Sequence, residues 1–155
     1  MNCFIRKTRI EEVKHIHGLM KEFAQRGTIL PRSLTELFEH VRDFFVCVDQ
    51  DNGSKIAGIC AMHICWEDIA EIRSLAVLDE YRKCGIGAKL VEACLSEALT
   101  LGIYKVFVLT YEVDFFRRFG FEVIDKAVLP HKVWTDCVKC VKFPDCDEVA
   151  MLLTL

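Results

Sequence analysis

Apolar residues recur along the chain with two periods, one near 3.6 and one near 2, and the switches between them mark out the elements. CFIRK, near the start, reads as a short strand. Ile10, Val13, Ile16, Leu19, Met20 and Phe23 then follow at helical spacing, behind a capping-box pattern Thr8xxGlu11, and Gly27 ends this helix after about Arg26. A second capping box, Ser33xxGlu36, opens a shorter helix that ends near Val41. Phe44 to Val48 is apolar and β-rich, and AspAsnGly at 51 to 53 is a hairpin-turn signal leading into a strand from about Ile56 to Ile64. From Ala70 to Leu78, AEIRSLAVL alternates Ile72, Leu75 and Val77 with Glu71, Arg73 and Ser74, the pattern of a strand, and AspGlu at 79 and 80 ends it. The clearest helix runs from Gly85 to about Leu101, with an apolar stripe of Ile86, Leu90, Val91, Cys94, Leu95, Ala98 and Leu101 and with Gly102 as its stop. KVFVLT, Lys105 to Thr110, is continuously apolar, as expected of a buried strand. A short helix around Asp114 to Phe119, a strand FEVI and a last strand from about Val149 to Leu155 complete the order. This succession predicts an α/β (α+β) fold with a central mixed, mostly antiparallel sheet of about six to seven strands, flanked by about four helices.

Length and charge narrow the function. A chain of 155 residues is the size of one domain with its own core, and no repeat, low-complexity tract or linker divides it, so a single domain over 1–155 is expected. The net charge is −3 with both signs scattered, which offers no basic face for nucleic acid and no polybasic anchor for a membrane. The N-terminus has no signal-like apolar run and no stretch approaches the ~20 apolar residues that span a bilayer, so a cytoplasmic protein acting on small molecules is expected. Of nine cysteines, Cys47, Cys60, Cys65 and Cys94 sit inside apolar periodic segments, where a thiol behaves as a small buried hydrophobe.

Between the strand that ends at Leu78 and the long helix lies EYRKCGIG. Gly85 and Gly87, lacking side chains, let backbone amides approach a pyrophosphate, and the unpaired N–H groups and positive dipole end of the helix favour the anion. Arg82 and Lys83 add charge-assisted contacts. Two glycines at a helix start are more often plain turn chemistry, and neither the dinucleotide pattern GxGxxG nor a P-loop GK[ST] is present. The wider context is more specific. LAVLDEYRKCGIG resembles the GCN5-related N-acetyltransferase (GNAT) superfamily, whose signature is [QR]xxGx[GA] after a strand ending in LAV, and LTYEVDFFRRFGF resembles that family's second motif. The likeness covers most of residues 3 to 125 and implies the GNAT fold and acetyl-CoA as co-substrate. It assigns Leu75, Ala76 and Val77 to backbone pairing with the pantetheine arm, and Arg82, Lys83, Cys84, Gly85, Ile86, Gly87 and Ala88 to the pyrophosphate.

Acetyl transfer needs a neutral amine, whereas an alkyl ammonium with a pKa of ~10 is almost wholly protonated at pH 7, so a base must remove a proton. Glu71 is the best-situated carboxylate, on the strand beside the thioester; a solvated Glu71–Arg73 pair is the plainer alternative. EIRSLAV, LPRS and FEVIDKAVLP resemble the acetyltransferase module of bacterial N-acetylglutamate synthase, in a short stand-alone form. By that resemblance Glu71 is the general base, while Arg32, Arg73 and Ser74 line the substrate, with Arg32 gripping a carboxylate bidentately. The alternative for Arg32 is a surface charge. The reaction so implied is acetylation of the α-amine of L-glutamate or glutamine, for arginine biosynthesis. Its partners are a small-molecule amine and, at most, a second copy in a homodimer, with no nucleic acid and no membrane. Another amine acceptor, such as a protein N-terminus or a polyamine, and a noncatalytic acyl-CoA sensor are the competing readings.

Three features depart from the family. Phe116 stands where many members have a tyrosine that protonates the leaving thiolate, and Tyr111 is the nearest hydroxyl in sequence. PDCDEVAM replaces a basic stretch before the last strand, leaving the substrate's second anchor unassigned. The kinase-like domain that precedes the module in classical synthases is not expected here, so the resemblance does not imply arginine feedback. Separately, Cys137xxCys140 with Cys146 and His131 could supply three thiolates and an imidazole to a structural zinc, but packed or loop thiols and a redox pair fit the same spacing, and no metal site is assigned.

Overall fold

The apolar stripe of the first helix and the doubly apolar run Phe44–Val48 require a sheet covered on both faces, and a computed structural model of the chain has that arrangement. It describes residues 2–130 and 147–155. Cα packing divides it into two compact units, Met1–Met62 with Arg73–Ser96, and His63–Ile72 with Glu97–Leu155.

In the first unit β1 (Cys3–Lys7) pairs antiparallel with β2 (Phe44–Asp49), and β2 with β3 (Lys55–Trp66). Helix α1 (Val13–Gln25) lays Val13, Ile16, Met20 and Phe23 on Phe44, Val46 and Val48 of β2 and on Ile56, Ile59 and Ala61 of β3; α2 (Leu34–Glu39) adds Leu37. On β4 (Ile69–Val77) Ala76 joins this core. The residues of β2 that point the other way, such as Cys47, are also fully buried, which is why all six positions of the strand are buried. Helix α3 (Ile86–Leu101) buries Leu90, Val91, Cys94 and Ala98, and the Cys94 and Cys60 sulfurs meet at 3.7 Å. The predicted reduced core thiols are therefore present at Cys47, Cys60 and Cys94, with Cys65 half-buried. Burial pushes the Cys47 thiol up to about 12.

Two expectations shift. The cap of α1 lies one residue later than Thr8xxGlu11: Glu12 accepts from the Arg9 amide at 2.8 Å and holds Arg6 in a two-pronged pair at 2.8 Å. Glu12 can do both because a turn, Ile10–Glu12, precedes the helix, whereas Thr8 Oγ1 is buried without a hydrogen bond. In β4, Ala76 is buried and Leu75 and Val77 are half-buried, because Ser74 adopts a left-handed φ of 57° that interrupts the simple alternation.

In the second unit β5 (Lys105–Thr110) runs parallel to the start of β4, Ile69↔Lys105 to Glu71↔Phe107. A short helix α4 (Val113–Arg117) follows, then β6 (Glu122–Ile124) and β7 (Val149–Thr154), with β7 antiparallel to both β5 and β6. Ile69, Phe107, Leu129 and Ala150 form its core cluster. The sheet order is β1-β2-β3-β4-β5-β7-β6, a mixed sheet of seven strands in which β4 and β5 run parallel, as the sequence predicts. No helix among the described residues is long and apolar enough to cross a membrane. The possible zinc ligands Cys137, Cys140 and Cys146 lie outside the described residues.

Candidate functional site

β4 carries the residues that the sequence singles out, and its backbone is irregular where they cluster. Its parallel ladder with β5 covers only three residues of each strand and stops at Glu71. Three positions on, Ser74 is held left-handed, a conformation that costs a non-glycine residue about 1–2 kcal/mol and that persists where the surroundings enforce it. Glu71, Arg73, Ser74, Leu75 and Val77 are all half-buried, exposed enough to meet a ligand and packed enough to be held. At its far end β4 is fixed by the Leu78 amide, which donates to Ala57 O at 2.9 Å.

Immediately after β4 the chain makes a single tight turn, Asp79–Tyr81, and enters the glycine loop. Arg82, Lys83, Cys84 and Gly85 are exposed, while Tyr81 before them and Ile86 after them are buried. Lys83 (φ 65°) and Gly85 (φ 77°) are both left-handed, so the loop turns sharply twice within three residues. The first helical hydrogen bond of α3 runs from the Lys89 amide to Gly85 O at 3.1 Å. The amides of Gly85, Ile86, Gly87 and Ala88 thus stand ahead of the helical ladder at the positive end of a 16-residue helix. Backbone donors, two cations and left-handed turns together make an anion cradle. Arg82 pairs with Asp79 at 3.6 Å, and Asp79 also takes Arg26 at 3.2 Å. The exposed Cys84 sulfur lies 3.6 Å from Arg82 O.

Gly58, which sequence reasoning passed over, positions this cradle. A Cβ there would come within 3.1 Å of Ala76 O, 3.1 Å of Leu90 Cδ1 and 3.2 Å of Ile86 Cγ2. The bare glycine lets the first turns of α3 sit directly over the strands. A glycine inside an apolar strand pattern, here IAGIC, is the signal that could have found it.

Arg32 precedes α2, whose N-terminus is capped by Ser33 Oγ accepting from the Glu36 amide at 3.1 Å. Its side chain is only 9% exposed and lies 3.7 Å from Glu36. In the second unit Phe116 is 3% exposed and stacks edge-on against Phe115 and Phe121, at centroid distances of 5.0 and 5.4 Å. That position is core, which explains its lack of a hydroxyl. Tyr111, the other hydroxyl weighed, donates to Asp147 at 2.6 Å.

The acetyltransferase (GNAT) family model matches residues 11–121. The chain is 41% identical over 151 residues to an uncharacterized N-acetyltransferase, CT2212, of Chlorobaculum tepidum, covering 97% of this chain and 96% of that protein. It is 34% identical over 132 residues to the amino-acid acetyltransferase of Mycobacterium tuberculosis, covering 85% and 75%. The structure of Rv2747 from Mycobacterium tuberculosis in complex with CoA and NLQ aligns with a TM-score of 0.82 at 31% identity, over 98% of this chain and 99% of that one. N-acetylglutamate synthase from Neisseria gonorrhoeae, complexed with coenzyme A and N-acetyl-glutamate, shares the fold at a TM-score of 0.87 and 22% identity, and this chain spans 35% of it.

Proposed function

Because the chain belongs to the acetyltransferase (GNAT) family and is an acetyl-CoA-dependent N-acetyltransferase, we propose that its acceptor is the α-amine of an amino acid, L-glutamate or L-glutamine. The observation that carries this reading is Arg32, a nearly buried guanidinium held by a short capped helix, suited to a planar substrate carboxylate. Arg73 and Ser74 complete the substrate side of β4. The bound N-acetyl-glutamate of the Neisseria protein supports the same acceptor class. With glutamate as acceptor the product is N-acetylglutamate and with glutamine N-acetylglutamine; for the former we propose a place in arginine biosynthesis.

In this mechanism Arg82 to Ala88 hold the pyrophosphate of acetyl-CoA, and the backbone of Leu75, Ala76 and Val77 pairs with the pantetheine arm. Glu71, directly or through one water, takes a proton from the α-ammonium. The freed amine nitrogen attacks the acetyl carbonyl, a C–N bond forms as the C–S bond breaks, and CoA leaves as thiolate; the nitrogen sheds its second proton as the amide forms, directly or through water to the thiolate, giving free CoA thiol. No covalent enzyme intermediate is needed.

The test is to incubate purified protein with acetyl-CoA and a panel containing glutamate, glutamine, aspartate and a polyamine, following thiol release with mass confirmation of the product. Release that depends on glutamate or glutamine is the expected result. Release with the polyamine alone, or with no amino acid at all, would overturn the assignment.

A further inference from the structure

Asp49 is a buried carboxylate that the reaction does not use. It ends β2, is 5% exposed, and with Thr110 makes up the buried polar side chains among the described residues. A carboxylate withdrawn from water is costly unless its oxygens are bonded, and both of these are. Oδ1 accepts from the Asp51 amide at 3.1 Å, which closes the local turn. Oδ2 accepts from the Tyr81 hydroxyl at 2.6 Å, reaching a residue 32 positions away.

Tyr81 is itself 6% exposed and is the last residue before the glycine loop. Its amide donates to Leu78 O at 2.9 Å and the next amide, Arg82, to Asp79 O at 3.2 Å, so the backbone that carries this ring is itself tied into the turn. The Asn52 amide adds a longer donor to the same hydroxyl at 3.4 Å, and Lys55, which pairs with Glu80, lies 5.9 Å from the ring centre. The loop that follows is exposed from Arg82 to Gly85 and passes through two left-handed residues. Its downstream end is fixed by buried Ile86 in α3, and its upstream end by Tyr81. A charge-assisted hydrogen bond at this distance is among the stronger neutral-to-ion contacts in proteins, and here it joins the end of β2 to the start of the anion cradle.

We propose that the Asp49–Tyr81 hydrogen bond is a positioning clamp that sets the loop Arg82–Gly87 at the height at which its amides meet the pyrophosphate of acetyl-CoA. Neither residue touches the substrate; both act through the loop. The inference rests on the reading of Arg82 to Ala88 as the pyrophosphate site, and acetyl-CoA compared with S-acetylpantetheine, which carries the same thioester but no pyrophosphate, separates the two.

Three proteins are compared with the unmutated chain: Tyr81→Phe, Asp49→Asn and the double variant. Each substitution keeps the side-chain shape, and thermal melting checks that all three fold. The expected result is a rise in KM for acetyl-CoA of about 10-fold in Tyr81→Phe with kcat within about two-fold, while kcat/KM for S-acetylpantetheine is unchanged. Asp49→Asn is expected to raise the same KM by a smaller factor, and the double variant to match Tyr81→Phe, because the two residues serve one bond. The clamp is overturned if both thioesters lose efficiency by the same factor, as in a general loss of structure, or if the effects of the two substitutions multiply. If the unmutated protein uses the two thioesters equally well, the pyrophosphate reading itself fails, and the clamp with it.

Discussion

Glu71 holds the last rung of the β4–β5 ladder, paired with Phe107, and three residues later the strand is bent by Ser74. Its backbone is therefore held by regular sheet while the strand beyond it departs from regularity, a favourable setting for the base we propose it to be. Glu71→Gln keeps the size and removes the basic oxygen. The expected outcome is a fall in kcat of about 10²- to 10³-fold at neutral pH, with KM for acetyl-CoA within about two-fold. Steady-state kinetics at saturating acceptor amine decide it. A variant with near-normal kcat would remove Glu71 from proton transfer and leave it as half of a strand-face pair with Arg73.

Among the elements, α3 depends most on a residue that periodicity does not reveal. Ile86 and Leu90 crowd the space over Gly58, and the Ala76 carbonyl closes it from the strand side. Gly58→Ala puts a methyl group within 3.1–3.2 Å of all three. The two side chains can swing a little, but the carbonyl belongs to the strand backbone and cannot. The substitution is expected to destabilise the fold by about 1–3 kcal/mol and, by lifting the start of α3, to raise KM for acetyl-CoA more than KM for the amine. Denaturant melts and the two KM values check it; equal changes in both KM values would show that the helix start is not what moved. This contrast also shows what the sequence can and cannot disclose. Strand and helix order follow from local spacing, and the glycine loop from RKCGIG, because those signals lie within a few residues of one another. The Ser74 kink disturbed the reading of Leu75 and Val77, since a left-handed residue inside a strand has no mark in a serine. The place of Gly58 under α3 and the bond from Asp49 to Tyr81 join residues about 30 positions apart, and nothing local announces them. Phe116 was legible as a departure, but only packing against Phe115 and Phe121 explains it as core.

At the scale of the whole molecule, the chain is a net anion at −3, yet its co-substrate is a polyanion. Long-range attraction to the protein as a whole cannot bring the two together, and on the proposed reading of Arg82 to Ala88 as the pyrophosphate site the loop supplies the favourable field locally. Arg82 and Lys83 lie on its exposed side, and the dipole end of α3 lies behind it. Such a field is short in reach and open to solvent, so dissolved salt weakens it: the screening length falls from about 30 Å at 0.01 M to about 10 Å at 0.1 M and 3 Å at 1 M. The expected outcome is a KM for acetyl-CoA that rises several-fold between ~0.05 and ~0.5 M sodium chloride, while KM for S-acetylpantetheine stays flat. In the double variant Arg82→Ala with Lys83→Ala, KM for acetyl-CoA should already be high at low salt and should respond to salt far less. Had the attraction come from charges elsewhere on the surface, the variant would keep the slope of the unmutated protein. The two slopes, measured side by side, therefore assign the source of the field independently of the absolute affinity.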